Sequence, residues 1–389
     1  MHSAAGTRRL NAARLELLRL AGPLLGRLAA TPARQPQRVL LIRPDHIGDV
    51  LLTAPAIALL RTSLPNAQLT YAVGPWSVEA ARNGPPPDEI ITLRFPGFTR
   101  RRPINPLQPY ALLLREAIML RQQGFGLAVV FRPDHWWGAL LAAVAGIPVR
   151  VGSLTPETAP LLTHSRAPAS GEHAADSALA IARLALQAVS ASSASTAPET
   201  ASQFNISDAA RAEAKSLGLP DAPLVAIHPS AGAPLKSWPV SSWSAVADAL
   251  IAQGVNVVLT GAPDDGPLLT SIANRMAHQV ETACGQALDV TAAIFERCAV
   301  VVTVDSGAGH LAAAVGTPTV RLFGPAPAST FGPWPARADQ RVLVTTALGC
   351  VPCGHLESPP CGARQLPACM LAHGVEHVVN AVRAQLNHG

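Results

Sequence analysis

Short, continuous apolar runs alternate along this chain with stretches whose apolar positions recur at helical spacing. In the first half the runs are Arg38-Val39-Leu40-Leu41-Ile42-Arg43, Gln68-Leu69-Thr70-Tyr71-Ala72-Val73, Glu89-Ile90-Ile91-Thr92-Leu93 and Leu127-Ala128-Val129-Val130-Phe131. Runs this short, apolar on both faces, suit strands of a parallel sheet covered on each side by helices. Helices are expected from about Asp49 to Ser63, ended by Leu64-Pro65-Asn66-Ala67, and over 111–123. The alternation then restarts, with strands over 224–228, 255–260, 299–304 and 318–323, helices over 240–253 and 265–278, and a last helix near 374–386. The pattern predicts an α/β chain of two doubly wound domains, with a crevice between the carboxyl ends of their sheets.

The Ala/Ser/Thr-rich stretch 187–204 has no strong periodicity and reads as a linker between a domain over 38–186 and a second over 205–349. Residues 350–389 form a cysteine-bearing segment and the final helix. Residues 1–37 are a basic amphipathic extension in which Leu10, Ala13, Leu17, Leu20, Ala21 and Leu24 fall near one helical face among Arg8, Arg9, Arg14, Arg19 and Arg27. Two readings stay open for it, a packing helix and a weak interfacial membrane anchor. Arg14, Glu16 and Arg19 interrupt any signal-peptide core. No stretch reaches the roughly 18 uninterrupted apolar residues of a membrane span.

Composition narrows the function. The chain has 389 residues, 49% apolar, 14% charged and 4% aromatic, with a formal charge of +5. That suits Ala/Val/Leu-packed layers, and no basic-aromatic stripe points to nucleic acid. Arg100-Arg101-Arg102 is the one dense basic cluster, either a solvated loop or a reader of an anionic ligand. Of 30 basic residues only Lys215 and Lys236 are lysines. Cys350, Cys353, Cys361 and Cys369 read first as reduced structural cysteines and second as a zinc staple.

The chemistry-bearing residues cluster where strands are expected to end. Asp305-Ser306-Gly307-Ala308-Gly309-His310 follows one run and His228-Pro229-Ser230-Ala231-Gly232-Ala233-Pro234-Leu235-Lys236 another. With a helix opening at His310, Ser306 to Gly309 lie at a helix N-terminus, whose N–H donors and positive dipole end suit a phosphate. Lys236 adds a full charge, so the two loops together predict a diphosphate cradle. In the first half, Arg43-Pro44-Asp45-His46 and Arg132-Pro133-Asp134-His135 repeat one tetrapeptide after two strands, and both would face the same cleft. Gly48-Asp49 follows, with Asp49 opening the helix as either a first-turn cap or a general base. Gly261-Ala262-Pro263-Asp264-Asp265 is a weaker candidate for lining a nucleoside pocket, and Trp238 and Trp243 are expected to pack within their own domain.

Taken in order, Arg38 to Pro55 with Gly48-Asp49-Val50, His228-Pro229-Ser230-Ala231-Gly232, Lys236, Trp238-Pro239, Val304-Asp305-Ser306-Gly307, His310, Gly316-Thr317-Pro318, Phe323-Gly324-Pro325 and the cysteine segment through Cys369-Met370 resemble glycosyltransferase family 9, the ADP-heptose:lipopolysaccharide heptosyltransferases. The resemblance spans roughly residues 38–380. It implies a GT-B fold of two Rossmann-like domains, the N-terminal one binding acceptor and the C-terminal one nucleotide sugar. It implies inverting, metal-independent transfer from ADP-heptose to a lipopolysaccharide-core or related glycan, with no cofactor and with Asp49 as general base. Donor contacts would come from Ser230, Gly232, Lys236, Asp305, Ser306, Gly307 and His310. An anionic glycolipid or glycan acceptor would be met by Asp45, His46, Arg132 and His135. The expected setting is cytoplasmic, with peripheral contact at the inner membrane. A GT-B nucleotide-sugar epimerase and a catalytically degenerate glycan-binding module are the rival readings.

Overall fold

The computed structural model describes residues 15–16, 36–98, 105, 107–190, 203–220, 223–345 and 348–387. The amphipathic extension, apart from two residues and its last turn toward β1, and the Arg100–Arg102 triplet lie outside the described residues. The chain divides into two compact units, Met1–Glu199 and Thr200–Gly389.

The first unit contains β1 (Arg38–Arg43), α1 (Ile47–Ser63), β2 (Gln68–Val73), α2 (Val78–Asn83), β3 (Glu89–Thr92), α3 (Gln108–Gln122), β4 (Leu127–Val130), α4 (Trp136–Val144), β5 (Val149–Ser153), β6 (His164–Arg166) and α5 (Ala174–Ala188). Its strands pair in the order β3-β2-β1-β4-β5-β6, all parallel. β1 and β4 are fully buried along their apolar runs, as double helical cover requires. Trp137 anchors this core at 1% exposure and donates its indole N–H to the Pro109 carbonyl at 3.1 Å, tying the start of α3 to α4.

The second unit contains α6 (Asp208–Ser216), β7 (Leu224–His228), α7 (Val240–Ile251), β8 (Asn256–Gly261), α8 (Gly266–Ala273), β9 (Glu281–Cys284), α9 (Leu288–Glu296), β10 (Val300–Val304), α10 (Gly307–Ala314), β11 (Thr319–Phe323), α11 (Ala328–Phe331), β12 (Gln340–Val344), α12 (Ala368–Leu371) and α13 (Val375–Leu386). Its sheet runs β9-β8-β7-β10-β11-β12, again parallel throughout. Counted within each unit, both sheets have the strand order 3-2-1-4-5-6 of a dinucleotide-binding fold. Each therefore has one topological switch point, between β1 and β4 in the first and between β7 and β10 in the second. At a switch point the connections leave to opposite faces and open a crevice beyond the carboxyl ends of the strands.

Two helix boundaries differ from the sequence expectation at positions that matter. α1 begins at Ile47, so Asp49 is its third residue rather than its first. α10 begins at Gly307, so His310 lies one turn inside the helix rather than opening it. α8 stops at Ala273, five residues short of the expected end, where Asp248 instead accepts the backbone N–H groups of Ala277 and His278.

Trp238 and Trp243 pack edge to face, centroids 4.9 Å apart, inside the second core. Truncating Trp243 to Ala empties a fully buried site, and chemical denaturation should show a loss of about 3–5 kcal/mol. A loss under about 1 kcal/mol would mean that the site collapses freely and is not a packing anchor.

Candidate active site

The repeated tetrapeptides end β1 and β4, the two strands flanking the first switch point, and an ion network joins them. Asp45 is 2% exposed. Arg43 reaches it with Nε at 3.0 Å, and Arg132 reaches it from the other strand through Nη1. Arg43 also donates from Nη2 to Asp49 Oδ1 at 3.1 Å, and Arg132 donates from Nε to Asp134 Oδ1 at 2.7 Å. Burial alone would raise the Asp45 pKa, but the two guanidinium groups outweigh it and hold the carboxyl below its ordinary value. The same carboxylates raise the pKa of Arg132 against the effect of burial. The arrangement is a chain of alternating charge, Asp49–Arg43–Asp45–Arg132–Asp134, lying across the switch point.

Aromatic rings surround this network. Trp76 donates its indole N–H to the Asp45 carbonyl at 3.0 Å and stacks on Phe98 with centroids 6.5 Å apart. The Arg132 guanidinium lies over the Phe98 ring at 5.0 Å, a cation–π contact. His46 is exposed and packs against Trp76. His135 is instead buried among Phe95, Phe98 and Trp137, with neither ring nitrogen hydrogen-bonded. Burial depresses its pKa to about 4, so its imidazole is neutral. Gly138 makes room for that ring, since a Cβ there would lie 2.4 Å from His135 Nδ1. Of the four residues expected to meet an acceptor, His46 and Arg132 have solvent-facing surface, whereas Asp45 and His135 lie beneath them.

At the second switch point the two candidate loops also meet. Lys236 Nζ pairs with Asp305 Oδ2 at 2.6 Å. Thr303 Oγ1 on β10 donates to the His228 carbonyl on β7 at 2.8 Å and lies 2.9 Å from Ser306 Oγ. Ser306 stands at the N-cap of α10 without capping it by its side chain. Its hydroxyl is turned to Thr303, so the first-turn N–H groups, from Gly307 onward, keep the character of an anion-binding helix end. Ser230 Oγ donates to Asp265 Oδ2 at 2.6 Å, which brings the 261–265 loop into the group. His228 Nδ1 contacts Thr260 Oγ1 at 3.1 Å, and burial lowers its pKa to about 4. Gly232 is exposed, and a Cβ there would meet no atom within 4 Å.

Two arginines that are not among the expected ligand contacts join the sites. Arg43 opens the first repeated tetrapeptide, and Arg321 lies inside the strand expected over 318–323. Arg321 on β11 is 1% exposed, donates to Thr319 Oγ1 at 3.0 Å and Gln340 Oε1 at 2.9 Å, and lies beneath the first turn of α10. A Cβ on Gly309 would come within 2.9 Å of its Cδ and Nε. Burial lowers the Arg321 pKa to about 9 against the pull of Asp305, which leaves it charged at neutral pH. The signal was present in both cases: a guanidinium inside an apolar run that the sheet order encloses on both sides.

The cysteine segment packs behind the Lys236 loop. Cys350, Cys353, Cys361 and Cys369 are free thiols and line one apolar cavity with Leu235 and Pro325. Among the described residues, no group of three or more His, Cys, Asp or Glu side chains is gathered to hold a metal.

The family model for glycosyltransferase family 9 (heptosyltransferase) matches residues 114–360, well over half of the chain. The chain belongs to this family. It is 38% identical over 116 residues to lipopolysaccharide heptosyltransferase 3 of Escherichia coli, a match that takes in 28% of this chain and about a third (34%) of that relative's length. It is 26% identical over 296 residues to the enzyme of the same name from strain K12, covering 74% of this chain and 82% of that one. The structure of E. coli ADP-heptose lipopolysaccharide heptosyltransferase II superposes with a TM-score of 0.71 at 21% identity, over 90% of this chain and 99% of that one. The two-domain α/β fold is therefore the GT-B-type fold of family 9.

In this family 9 chain His135 and His228 set an acid limit. Each binds its proton near pH 4 when folded and near 6.5 when unfolded. Their stabilisation is therefore complete above about pH 6.5 and is lost as pH falls toward 4, on the order of 3 kcal/mol for each. His135→Leu should flatten the pH dependence of stability between those values. An unchanged slope, measured by denaturant titration at several pH values, would show that the His135 ring is solvated.

Proposed function

We propose that this chain transfers a heptose from ADP-heptose to a hydroxyl of a lipopolysaccharide-core or related glycan, with inversion at the anomeric carbon. The observation that carries the donor half is the Lys236–Asp305 pair beside the N-terminus of α10, at a switch point. Lys236, on turning from Asp305 to the ligand, and the helix end provide positive charge where an ADP diphosphate develops negative charge on leaving. Ser230, Gly232, Ser306, Gly307 and His310 complete the donor contacts, and Arg321 supplies a fixed charge beneath them. Relatives whose names specify lipopolysaccharide as acceptor and ADP-heptose as donor support the choice of substrates.

In the reaction, Asp49 accepts the proton of the acceptor hydroxyl while that oxygen forms a bond to the anomeric carbon. The bond from that carbon to the diphosphate oxygen breaks, and ADP leaves with the electron pair. The Arg43 bond to Oδ1 fixes the orientation of the Asp49 carboxylate. Charge on the diphosphate is balanced by Lys236 and the helix N-terminus, acting on the departing oxygen as preorganised donors. Arg132 and His46 present the acceptor-facing surface. Asp45 and His135 act behind Arg132, holding its guanidinium and packing the ring cluster under it.

Asp49→Asn keeps the shape of the side chain and much of its helix-end role. It should lower turnover by on the order of 10²–10⁴-fold with ADP affinity unchanged. Near-normal turnover in the folded variant would remove Asp49 from the chemistry.

Lys236→Ala should weaken ADP binding by roughly tenfold or more, the worth of a charge-assisted contact, and leave adenosine binding unaffected. Equal losses for the two ligands in calorimetry would place Lys236 at the nucleoside or in the packing of the loop.

A further inference from the structure

Helix α3 is amphipathic in an unusual sense. One face packs on α4 through Leu113, Ala117 and Leu120, and the opposite face is also apolar. Leu107, Leu114 and Ile118 are 67%, 56% and 62% exposed, and Tyr110 and Met119 join them. Five of the nine large apolar side chains that stand exposed among the described residues belong to this helix and its cap. Positions 107, 111, 114 and 118 follow the helical repeat, so they form one stripe rather than scattered contacts. A soluble surface helix carries charged residues along this line, and a contiguous apolar patch marks an interaction site.

The charges beside the stripe indicate what the surface meets. Arg115 and Arg121 are exposed on the helix, and its single acid, Glu116, is buried and bonded to Arg115. From residue 90 to 133 the sequence holds seven arginines against that one acid. An apolar stripe whose exposed charges on the helix, Arg115 and Arg121, are both cations fits the boundary between headgroups and acyl chains in a bilayer containing anionic lipid. A protein partner would be expected to need acidic groups of its own to match these arginines.

The position of the helix supports the same occupant. In a parallel sheet, a crossover helix runs opposite to its strands, so the start of α3 lies at the carboxyl edge. Trp137 fixes it there through the Pro109 carbonyl, and Tyr110 packs on Trp136, the residue directly after His135. The stripe thus begins at the edge that holds Arg132.

We propose that the exposed face of α3 docks the first unit on an anionic membrane surface. In this arrangement Leu107, Leu114 and Ile118 enter the interface while Arg115 and Arg121 contact lipid phosphates. The benefit to the enzyme rests on the reading that its acceptor is a membrane-borne glycolipid, which would then be presented at the carboxyl edge of the first sheet. Docking itself does not depend on turnover.

The test is co-sedimentation of the full chain with vesicles of phosphatidylcholine, with or without phosphatidylglycerol, alongside calorimetry with ADP and the oligomeric state by light scattering. The parent chain should bind the anionic vesicles, more weakly as salt rises. Leu114→Glu with Ile118→Glu should lower that binding at least tenfold, and Arg121→Ala should lower it roughly fivefold. Both variants should keep the parent's circular dichroism and thermal unfolding, which shows that the first unit folds, and its ADP affinity, which reports on the second. The proposal is overturned if the parent does not bind anionic vesicles, if the double variant binds them as well as the parent, or if the parent is a dimer that the double variant splits. Vesicle binding through α3 without transfer to any glycolipid would leave the docking surface in place and defeat the acceptor reading instead.

Discussion

A carboxylate as buried as Asp45 remains ionised only if cations reach it, and here they come from two different strands. Arg43 belongs to β1, and Arg132 follows β4. The pairing therefore joins the two strands at the point where the chain changes direction across the sheet. It also settles the positions of groups that face outward, because Arg43 orients Asp49 and Asp45 orients Arg132. Removing one member would strand a charge out of water, which commonly costs about 3–5 kcal/mol. The candidate base and the candidate acceptor contact thus belong to one electrostatic unit.

The second unit repeats this solution with different residues. Its switch point is crossed by the Lys236–Asp305 ion pair and by the bond from Thr303 to the His228 carbonyl. Beneath them Arg321 holds a buried charge within hydrogen bonds from β11 and β12. The cysteine segment and the turn after it pack on the end of β11: His373 Nε2 lies 2.9 Å from the Phe323 carbonyl, and a Cβ on Gly324 would strike Met370 Sδ at 2.5 Å.

The central strands were legible because burial on both faces leaves a continuous apolar run, as in β1, β4, β7 and β10. Of the four edge strands only β3, with Ile90-Ile91, was. β6 is His-Ser-Arg, β9 is Glu-Thr-Ala-Cys, and β12 begins Gln-Arg, so their extended form comes from pairing with a neighbour rather than from their own pattern. The loops at the strand ends could be picked out from their small residues, their lone lysine and the repeated tetrapeptide. What the sequence alone could not reveal was which members face outward. Asp45 and His135 match His46 and Arg132 in chemistry, and only the packing of Phe95, Phe98 and Trp137 separates a contact from its support. Arg321 escapes the sequence pattern for a related reason. A charge inside a strand suggests a surface position until the sheet order shows neighbours on both sides.

The proposed function puts ligands at the two switch points, held by these ion networks. A crystal structure of the complex with ADP tests it most directly. The diphosphate is expected at the first turn of α10, within hydrogen-bond distance of the Gly307 and Ala308 N–H groups, with Lys236 Nζ moved from Asp305 to a phosphate oxygen. A diphosphate bound elsewhere, or one bound there with the Lys236–Asp305 pair intact, would contradict it.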